Sequence, residues 1–240
     1  MTSRTVLVTG AASGIGAASR SELSRLGWDV VGLDLAGGDG VIQADVSDDT
    51  AMARAASQLG DRELNGLVCA AGIWDVADDR YATVTAEVWH RTWAVNVTGT
   101  MLTMRHFAPR LRSGGAAVTF ASMAALVGMP RRDAYTASKG AIVALSRAWA
   151  ADLIRQGVRV NCLAPGVVAT PMTAARIGDG ASDLPLGRAA TPTEIAGVVA
   201  AVLDATYLNG TLIPVDGGVT AASSFFSLAP RGSINEEGAA

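Results

Sequence analysis

Residues 5–16 read TVLVTGAASGIG, and this short stretch decides the fold. The β-branched run at 5–9 is typical of a buried strand, and the segment 14–26 has a helical pattern. Glycines at Gly10, Gly14 and Gly16 let the chain turn tightly and approach a phosphate closely. A helix that begins here would present unpaired N–H groups and the positive end of its dipole to a pyrophosphate. The other interpretation is a glycine-rich turn that only packs a helix on a strand.

Strand-like and helix-like segments alternate along the rest of the chain. Short apolar runs predict further strands at 29–33, 41–44, 64–70, 116–121, 158–164 and 211–215, and helical patterns occupy 48–59, 86–111, 134–156 and 192–204. Continuous apolar strands separated by helices form parallel sheets covered on both faces. We therefore expect an α/β fold, a doubly wound Rossmann-type parallel sheet of about seven strands with helices on both faces. The chain 1–240 is predicted to be a single dinucleotide-binding and catalytic domain.

Composition excludes several classes of protein. Half of the 240 residues are hydrophobic, the net charge is −3, and no apolar run reaches membrane-spanning length. We therefore expect no nucleic-acid partner, no membrane association and a cytoplasmic location. Cys69 and Cys162 are expected to be buried thiols of a reducing compartment. His90 and His106 lack the spacing of a zinc-binding pair, so no metal site is predicted.

An acidic residue, Asp34, ends the second predicted strand. An acid here accepts hydrogen bonds from both hydroxyls of an adenosine ribose. It also opposes a 2′-phosphate, because one charge pair at about 5 Å and an effective dielectric constant of about 20 costs about 3 kcal/mol. The next four residues, Leu35 to Gly38, include no arginine that would offset this repulsion. NAD is therefore favoured over NADP, although an aspartate that only caps a turn is the structural alternative.

A second acid, Asp45, follows the third predicted strand and precedes Val46. It would either receive the adenine amino group of a bound dinucleotide or cap the start of the next helix. The sequence does not distinguish these two interpretations.

Three polar residues follow the fifth predicted strand. Ser122 comes directly after it, Tyr135 lies near the start of the next helix, and Lys139 follows at i+4. Since i and i+4 share a helix face, the phenol and the ammonium point into one site. Lys139 is the only lysine among the 19 Lys and Arg side chains. A turn-capping serine and an ordinary helical tyrosine are the structural alternatives.

These three residue types suit the interconversion of an alcohol and a ketone. Such a reaction also moves a proton. A phenol with its usual pKa of about 10 is almost entirely protonated at neutral pH, so it cannot accept that proton. A neighbouring ammonium and an oxidised nicotinamide would lower that pKa, and three units require about 4 kcal/mol. Ser122 would hold the substrate oxygen. A compact ammonium with three rotatable donors serves such a site better than a broad guanidinium.

The motifs TGAASGIG, VNVTG, FAS, YTASK, APGVVATP and VDGG, which span nearly the whole chain, resemble those of the classical short-chain dehydrogenase/reductase (SDR) family. The resemblance implies hydride transfer between NAD(H) and a secondary alcohol or ketone. It implies that Asn96, Ser122, Tyr135 and Lys139 are catalytic, with Asn96 holding a water of the proton relay. Taken alone, Asn96 would be interpreted as a kink or a bonded polar group within a long helix. The typical assembly is a homotetramer built partly on the two long helices, and a homodimer is the alternative.

The cofactor site combines the residues argued above with positions that the resemblance supplies. Pro165–Val168 would border the nicotinamide, Thr170 would bind its carboxamide, and Lys139 would contact the nicotinamide ribose. The residues predicted to bind the cofactor are Gly10, Ser13, Gly14, Ile15, Gly16, Asp34, Leu35, Asp45, Val46, Ala71, Gly72, Tyr135, Lys139, Pro165, Gly166, Val168 and Thr170.

The chain departs from the family pattern after the fourth strand. The family's NNAG is replaced by CAAG at 69–72, which removes two asparagines that normally brace the sheet and its loop. We expect this change to affect local rigidity more than cofactor binding. Two further segments have a loose composition, a short substrate lid at 171–190 and a C-terminal tail from 223. Trp74 and Met172 would line an apolar substrate pocket, although core packing explains them equally well.

Three functions compete. The first is an NAD-dependent dehydrogenase or ketone reductase. The second is an NAD-binding sensor or scaffold without turnover, suggested only by CAAG. The third, enoyl reduction, fits poorly because the spacing of Tyr135 and Lys139 is that of the carbonyl-reducing class.

Overall fold

The computed structural model describes residues 4–177 and 182–222. The strands in these ranges are β1 (Thr5–Thr9), β2 (Asp29–Asp34), β3 (Val41–Gln43), β4 (Leu64–Cys69), β5 (Leu111–Phe120), β6 (Arg159–Pro165) and β7 (Leu212–Val215). Every predicted strand is present. The largest difference is in β5, which begins earlier than predicted because Leu111 pairs with Leu64 of β4 before a bulge. The predicted tail from 223 and residues 178–181 of the predicted lid lie outside the described residues.

The strands form one parallel sheet in the order β3-β2-β1-β4-β5-β6-β7. This confirms the predicted doubly wound Rossmann-type sheet of seven strands. The chain starts at β1, builds outward to β3, and then crosses to β4 on the other side of β1. Because the strand order reverses between β1 and β4, a crevice opens at their carboxyl ends, where such folds bind ligands.

The helices of the described residues are α1 (Gly14–Arg25), α2 (Asp49–Gln58), α3 (Ala86–Trp93), α4 (Gly99–Phe107), α5 (Asp133–Leu153), α6 (Pro171–Ile177) and α7 (Pro192–Asp204). Alternate side chains of β1 show how they cover the sheet. Leu7 packs in a core cluster with residues of α2, α4 and α5, whereas Val6 and Val8 pack with residues of α1 and α7. Helices therefore cover both faces, as the continuous apolar strands predict.

Two predicted segments differ from the structure. The single helix expected over 86–111 is divided by a π-helical turn, Ala94–Thr98, and ends in a 3-10 turn that contains Pro109. The predicted lid begins with helix α6, which starts at Pro171, a residue suited to the first helical position because its fixed φ is helical. The loose composition of 171–190 therefore did not indicate the helix that starts this segment.

The glycine turn of residues 10–16 is held by a very close backbone approach. Gly10 and Gly14 have φ of 67° and 52°, which favour glycine. A Cβ on Gly16 would lie 2.0 Å from the carbonyl oxygen of Gly10, so no other residue fits at this first turn of α1. The same turn lies against the loop after β4, because a Cβ on Gly10 would lie 2.9 Å from the amide nitrogen of Ala71.

We predict that Gly16→Ala destabilises the protein by about 2–4 kcal/mol, since the new methyl group forces the turn and α1 apart. Gly197→Ala is the matched control, because Gly197 lies in α7 and a Cβ there would meet nothing within 4 Å. Alanine at this position should stabilise the helix by up to about 1 kcal/mol. Urea denaturation of both variants measures the difference, and equal free energies of unfolding would contradict the close-approach argument.

Candidate active site

A cavity of about 350 Å³ lies at the carboxyl edge of the sheet. The residues predicted to bind the cofactor all line it, and so does Ser122. Asn96 is placed behind this lining, with its Oδ1 3.2 Å from where a Cβ on Gly72 would be. The structure therefore brings the predicted site residues together around one space, while their individual roles remain predictions.

The sequence analysis missed several residues of the cavity wall. Most of them have small or apolar side chains that indicate no particular chemistry, and most lie in or beside the recognised motifs. They are Ala44, Ala70, Ile73, Val95, Phe120, Ala121, Pro171 and Thr173. The apolar candidate Met172 also lines the cavity. Pro171 is the last residue of the motif APGVVATP, and Thr173 was detectable only from its position just after that motif.

The start of α1 fits an anionic ligand better than the starts of α2, α3 and α7 do. Its N-cap residue Ser13 makes no side-chain cap, and its first turn contains no acid. By contrast, α2 is capped by Asp48, α3 by Thr85 and α7 by Thr191. The turn that a Cβ would fill and the amides left without a side-chain acceptor match the requirements of a pyrophosphate. The residues present thus fit a dinucleotide.

The carboxylate of Asp34 is fixed at the mouth of the glycine turn. One oxygen accepts a hydrogen bond from the Ala12 amide at 2.9 Å, and the other accepts one from the Ala36 amide at 3.0 Å. These bonds tie the end of β2 to the turn after β1 and aim the carboxylate along the cavity wall. Each carboxylate oxygen has a further lone pair for a ligand hydroxyl.

The helix-cap interpretation of Asp45 is wrong. Helix α2 is capped by Asp48, whose Oδ1 accepts hydrogen bonds from the Thr50 and Ala51 amides at 2.8 and 3.2 Å. Asp45 instead accepts from the amide and the hydroxyl of Ser47, both with the same oxygen, Oδ1. The cap lies three residues later because the chain makes one more turn before the helix begins.

The CAAG segment packs tightly despite its missing asparagines. The Ala71 amide donates to Thr9 Oγ1 at 3.1 Å, which joins the end of β4 to the end of β1. Its backbone also touches Gly10. Small side chains permit this contact, so the loop is anchored through its backbone where the family uses side-chain amides.

Asn96 joins three elements of the site. It lies in the π-helical turn and is 1% exposed. Its Oδ1 accepts from the Ile73 amide at 2.8 Å, and its Nδ2 donates to the Ile73 carbonyl at 2.9 Å and to Ser138 Oγ at 3.0 Å. The amide therefore ties the loop after β4 to α5. The bonded polar group that the sequence suggests is present, and it lies in a π-helical turn.

Lys139 is buried beneath the cavity floor. Its Nζ donates to the Phe120 carbonyl at the end of β5 at 3.0 Å and lies 5.7 Å from the centre of the Tyr135 ring. Burial lowers the pKa of Lys139 to about 8. An ammonium has three donors, so its bond to Phe120 uses only one of them.

Burial opposes the expected lowering of the Tyr135 pKa. Desolvation raises the pKa of the Tyr135 phenol, and a hydrogen bond from Ser122 and the positive charge of Arg132 lower it by less. The expected lowering by the neighbouring ammonium is therefore not achieved by the protein alone. Ser122 itself is 8% exposed and accepts from the Ala124 amide at 3.2 Å.

An aromatic and cationic stack lies beside the phenol. The rings of Trp74 and Tyr135 are 5.8 Å apart and tilted by 38°. The guanidinium of Arg132 lies 4.0 Å from the Trp74 ring. Trp74 is thus held next to Tyr135. It is not among the residues that line the cavity, and its place in a substrate pocket stays a prediction.

Thr170 begins the segment that closes the far side of the cavity. Its methyl group is 3.3 Å from where a Cβ on Gly14 would lie. Its amide donates to Thr173 Oγ1 at 3.1 Å, and the Thr173 hydroxyl also donates to the Val168 carbonyl. These bonds fix the start of α6 over the glycine turn.

Among residues 4–177 and 182–222, no helix combines the length and apolarity needed to cross a membrane. The same residues contain no cluster of three or more His, Cys, Asp or Glu side chains that would hold a metal ion.

Fold and site together define a Rossmann-type protein with a crevice at the carboxyl edge of its sheet, lined by Ser122, Tyr135 and Lys139. Residues 10–220 match a family model described as "Enoyl-(Acyl carrier protein) reductase". The chain is 40% identical over 198 residues to "Inactive 2-(S)-hydroxypropyl-CoM dehydrogenase 2" of Xanthobacter autotrophicus, covering 75% of this chain and 84% of that protein. It is 37% identical over 249 residues to "2-(S)-hydroxypropyl-CoM dehydrogenase 3" of the same organism, covering 90% and 96%.

A solved structure agrees with these relatives. The crystal structure of levodione reductase superposes with a TM-score of 0.84 at 28% identity, covering 91% of this chain and 98% of the other. The chain belongs to the classical short-chain dehydrogenase/reductase family.

We predict that Lys139 makes stability depend on pH. Because burial lowers its pKa from 10.5 to about 8, the unfolded chain binds more protons between these values than the folded protein does. The free energy of unfolding therefore rises with pH through this window. Relative to Lys139→Met, which cannot titrate, the wild type should gain up to about 3 kcal/mol.

Urea denaturation of both proteins from pH 7 to above pH 10, without added cofactor, measures this gain. The buried thiol of Cys69, whose pKa burial raises to about 12, titrates in both proteins and cancels in the difference. A difference between the two proteins that does not change with pH would contradict the prediction.

Proposed function

We propose that the protein is an NAD-dependent dehydrogenase or ketone reductase that transfers a hydride between NAD(H) and a secondary alcohol or ketone. The observation that carries the proposal is the convergence of Ser122, Tyr135 and Lys139 on the cavity that the glycine turn also lines. Membership of the family supports an oxidoreductase, since its members use nicotinamide cofactors. The hydroxypropyl group in the names of the relatives denotes a secondary alcohol.

The proton would move at the Tyr135 hydroxyl. When alcohol is oxidised, the phenolate oxygen takes the hydroxyl proton of the substrate, and in ketone reduction the phenol returns a proton to the carbonyl oxygen. Ser122 would hold that oxygen by donating its hydroxyl hydrogen, while its own oxygen accepts from Ala124. Asn96 would hold a water of the proton relay. Its hydrogen bonds to Ile73 and Ser138 would also keep the residues around that water in place.

The cofactor would lie along the cavity from Asp34 to Thr170. The bound nicotinamide would supply the hydride acceptor or donor. The first turn of α1 would hold the pyrophosphate, Asp34 the adenosine ribose and Asp45 the adenine amino group. Lys139 would contact the nicotinamide ribose, Pro165–Val168 would border the ring, and Thr170 would bind its carboxamide. The fixed carboxylate of Asp34 favours NAD, because a 2′-phosphate would face a negative charge.

A sensor or scaffold without turnover is the alternative. One of the relatives, which is named as inactive, supports considering it. We favour the enzyme because Asn96, Ser122, Tyr135 and Lys139 are retained together around the cavity. Enoyl reduction, which the name of the family model suggests, is disfavoured by the spacing of Tyr135 and Lys139. The dehydrogenase names of the relatives also point to alcohol substrates.

The proposal also includes a small-molecule alcohol or ketone as the substrate and a homo-oligomeric assembly of the protein. We place the protein in the cytoplasm, which accords with the burial of its free thiols Cys69 and Cys162. A homotetramer is proposed from the family assembly, with a homodimer as the alternative. Sedimentation velocity distinguishes the two.

We predict that Tyr135→Phe lowers kcat for NAD reduction by about 10³-fold or more with a secondary alcohol, because the proton acceptor is lost. The variant should bind NADH within about threefold of wild type, since the ring and its packing on Trp74 remain. A stopped-flow or steady-state assay over cyclic, aromatic and steroidal alcohols measures turnover, and NADH fluorescence measures binding.

Tyr81→Phe is the control for this variant and should leave kcat unchanged, because Tyr81 is 87% exposed. Undiminished turnover in Tyr135→Phe would refute the mechanism. NADH binding by a wild-type protein that oxidises no alcohol and reduces no ketone would favour the sensor. Activity on an enoyl thioester alone would favour enoyl reduction.

We predict that Asp34→Asn raises the ratio of kcat/KM for NADP to that for NAD by about 10- to 100-fold, because it removes a repulsion of about 3 kcal/mol. An asparagine retains a carbonyl acceptor for the Ala12 or Ala36 amide. Asp45→Asn removes a charge from the same cavity wall and should leave the ratio unchanged. Equal ratios in the two variants would show that Asp34 does not select the cofactor.

A further inference from the structure

The start of α5, the helix that carries Tyr135 and Lys139, has no cap of its own. Arg132 occupies the N-cap position but makes no side-chain cap, and its guanidinium lies over Trp74 instead. The first amides of a helix have no acceptor within the helix and must find one elsewhere. Those of α5 are buried or partly buried, so their acceptors must come from the protein.

The acceptors for the first three amides come from two adjacent residues of the loop after β4. Asp78 Oδ1 accepts from the Ala134 amide at 3.1 Å, and Asp78 Oδ2 accepts from the Tyr135 amide at 2.8 Å. The Asp79 carbonyl accepts from the Asp133 amide at 3.1 Å. Asp78 is 8% exposed, so its carboxylate serves these amides away from bulk water.

The loop that supplies this cap is itself fixed at both ends. Ile73 is held by the side-chain amide of Asn96 through two hydrogen bonds. The buried carboxylate of Asp75 pairs with Arg91 of α3. On the other side, Asp79 pairs with Arg131 at 3.0 Å, and Arg131 has the positive φ of 60° that side chains rarely adopt.

Tyr135 is consequently held on both sides of its backbone. Its amide donates to Asp78, and its carbonyl accepts from Ser138 Oγ at 2.7 Å. The Ser138 hydroxyl oxygen in turn accepts from Asn96. Asn96 in the π-helical turn and Asp78 in the loop after β4 thus both help to fix Tyr135.

We propose that Asp78 is a positioning residue that, by capping α5 from the loop after β4, fixes the reacting hydroxyl of Tyr135. The inference rests on the proposed function, because it assigns Asp78 to the placement of that hydroxyl. Displacing a reacting group by about 1 Å costs up to about 100-fold in rate. Loss of the cap should therefore lower kcat while leaving the distant pyrophosphate end of the site intact.

The test compares Asp78→Ala and Asp78→Asn with Asp48→Ala. Asp48 is the matched control, because it also accepts from two amides at a helix start, but α2 carries none of the proposed catalytic residues. Asp78→Ala should lower kcat by about 10- to 100-fold with the KM for NAD and the NADH affinity within about threefold of wild type. Asp78→Asn, which keeps one acceptor, should be intermediate. Asp48→Ala should keep kcat within about twofold, since it removes the cap of α2 and leaves that of α5 in place.

Hydrogen exchange gives a second readout that needs no turnover. Asp78→Ala should accelerate exchange of the 133–138 amides and leave those of 49–52 unchanged, and Asp48→Ala should do the reverse. Normal exchange at 133–138 in Asp78→Ala overturns the inference, and so does accelerated exchange with a wild-type kcat. If Asp78→Ala does not fold, Asp78→Asn decides by the same two criteria.

The wild-type assay separates failure of this inference from failure of the proposed function. A wild-type protein without turnover on any alcohol or ketone refutes the proposed function. Exchange at 133–138 still decides whether Asp78 anchors Tyr135. A wild-type protein with turnover whose kcat is unchanged in Asp78→Ala refutes the positioning role alone.

Discussion

The close approach of Gly16 to the Gly10 carbonyl is the constraint on which the rest of the structure depends. A Cβ on Gly16 would lie only 2.0 Å from that oxygen, so only glycine lets α1 begin directly above the end of β1. This places the unpaired amides of α1 at the crevice between β1 and β4. It also brings Gly10 against Ala71, so that the loop after β4 starts in contact with the same turn. The glycine turn and the loop after β4, which both line the cavity, therefore share one backbone contact.

From that contact the loop after β4 connects the two halves of the site. Its start packs on the glycine turn, Ile73 is bonded to Asn96 in the π-helical turn, and Asp78 caps α5. The π turn carries Asn96, whose buried side-chain amide bonds both Ile73 and Ser138. CAAG keeps this loop in place through its backbone, which explains how the site is assembled without the family's two asparagines.

The sequence predicted the sheet and most of the cavity because both depend on local, strongly patterned signals. Short apolar, β-branched runs indicated all seven strands, and glycine spacing located the turn at 10–16. The π turn and helix α6 were not predicted. Asn96 suggested a kink or a bonded polar group but not a π turn, and Pro171 fits a loop as well as a first helical position. The role of Asp78 was also invisible, because the helix that it caps lies more than fifty residues later in the chain. Interactions between distant segments set these features, and a single sequence does not record them.

Burial also changes the explanation for the single lysine. Desolvation moves the two neighbouring groups toward their neutral forms, raising the pKa of Tyr135 and lowering that of Lys139 to about 8. A positive charge placed in the cavity would favour the phenolate and disfavour the ammonium. An arginine has the charge and the donors but does not lose its proton in a protein. Shape alone distinguishes the two side chains in the sequence. In the structure, burial adds a second difference, because it lowers the pKa of Lys139 to about 8 and would leave an arginine charged.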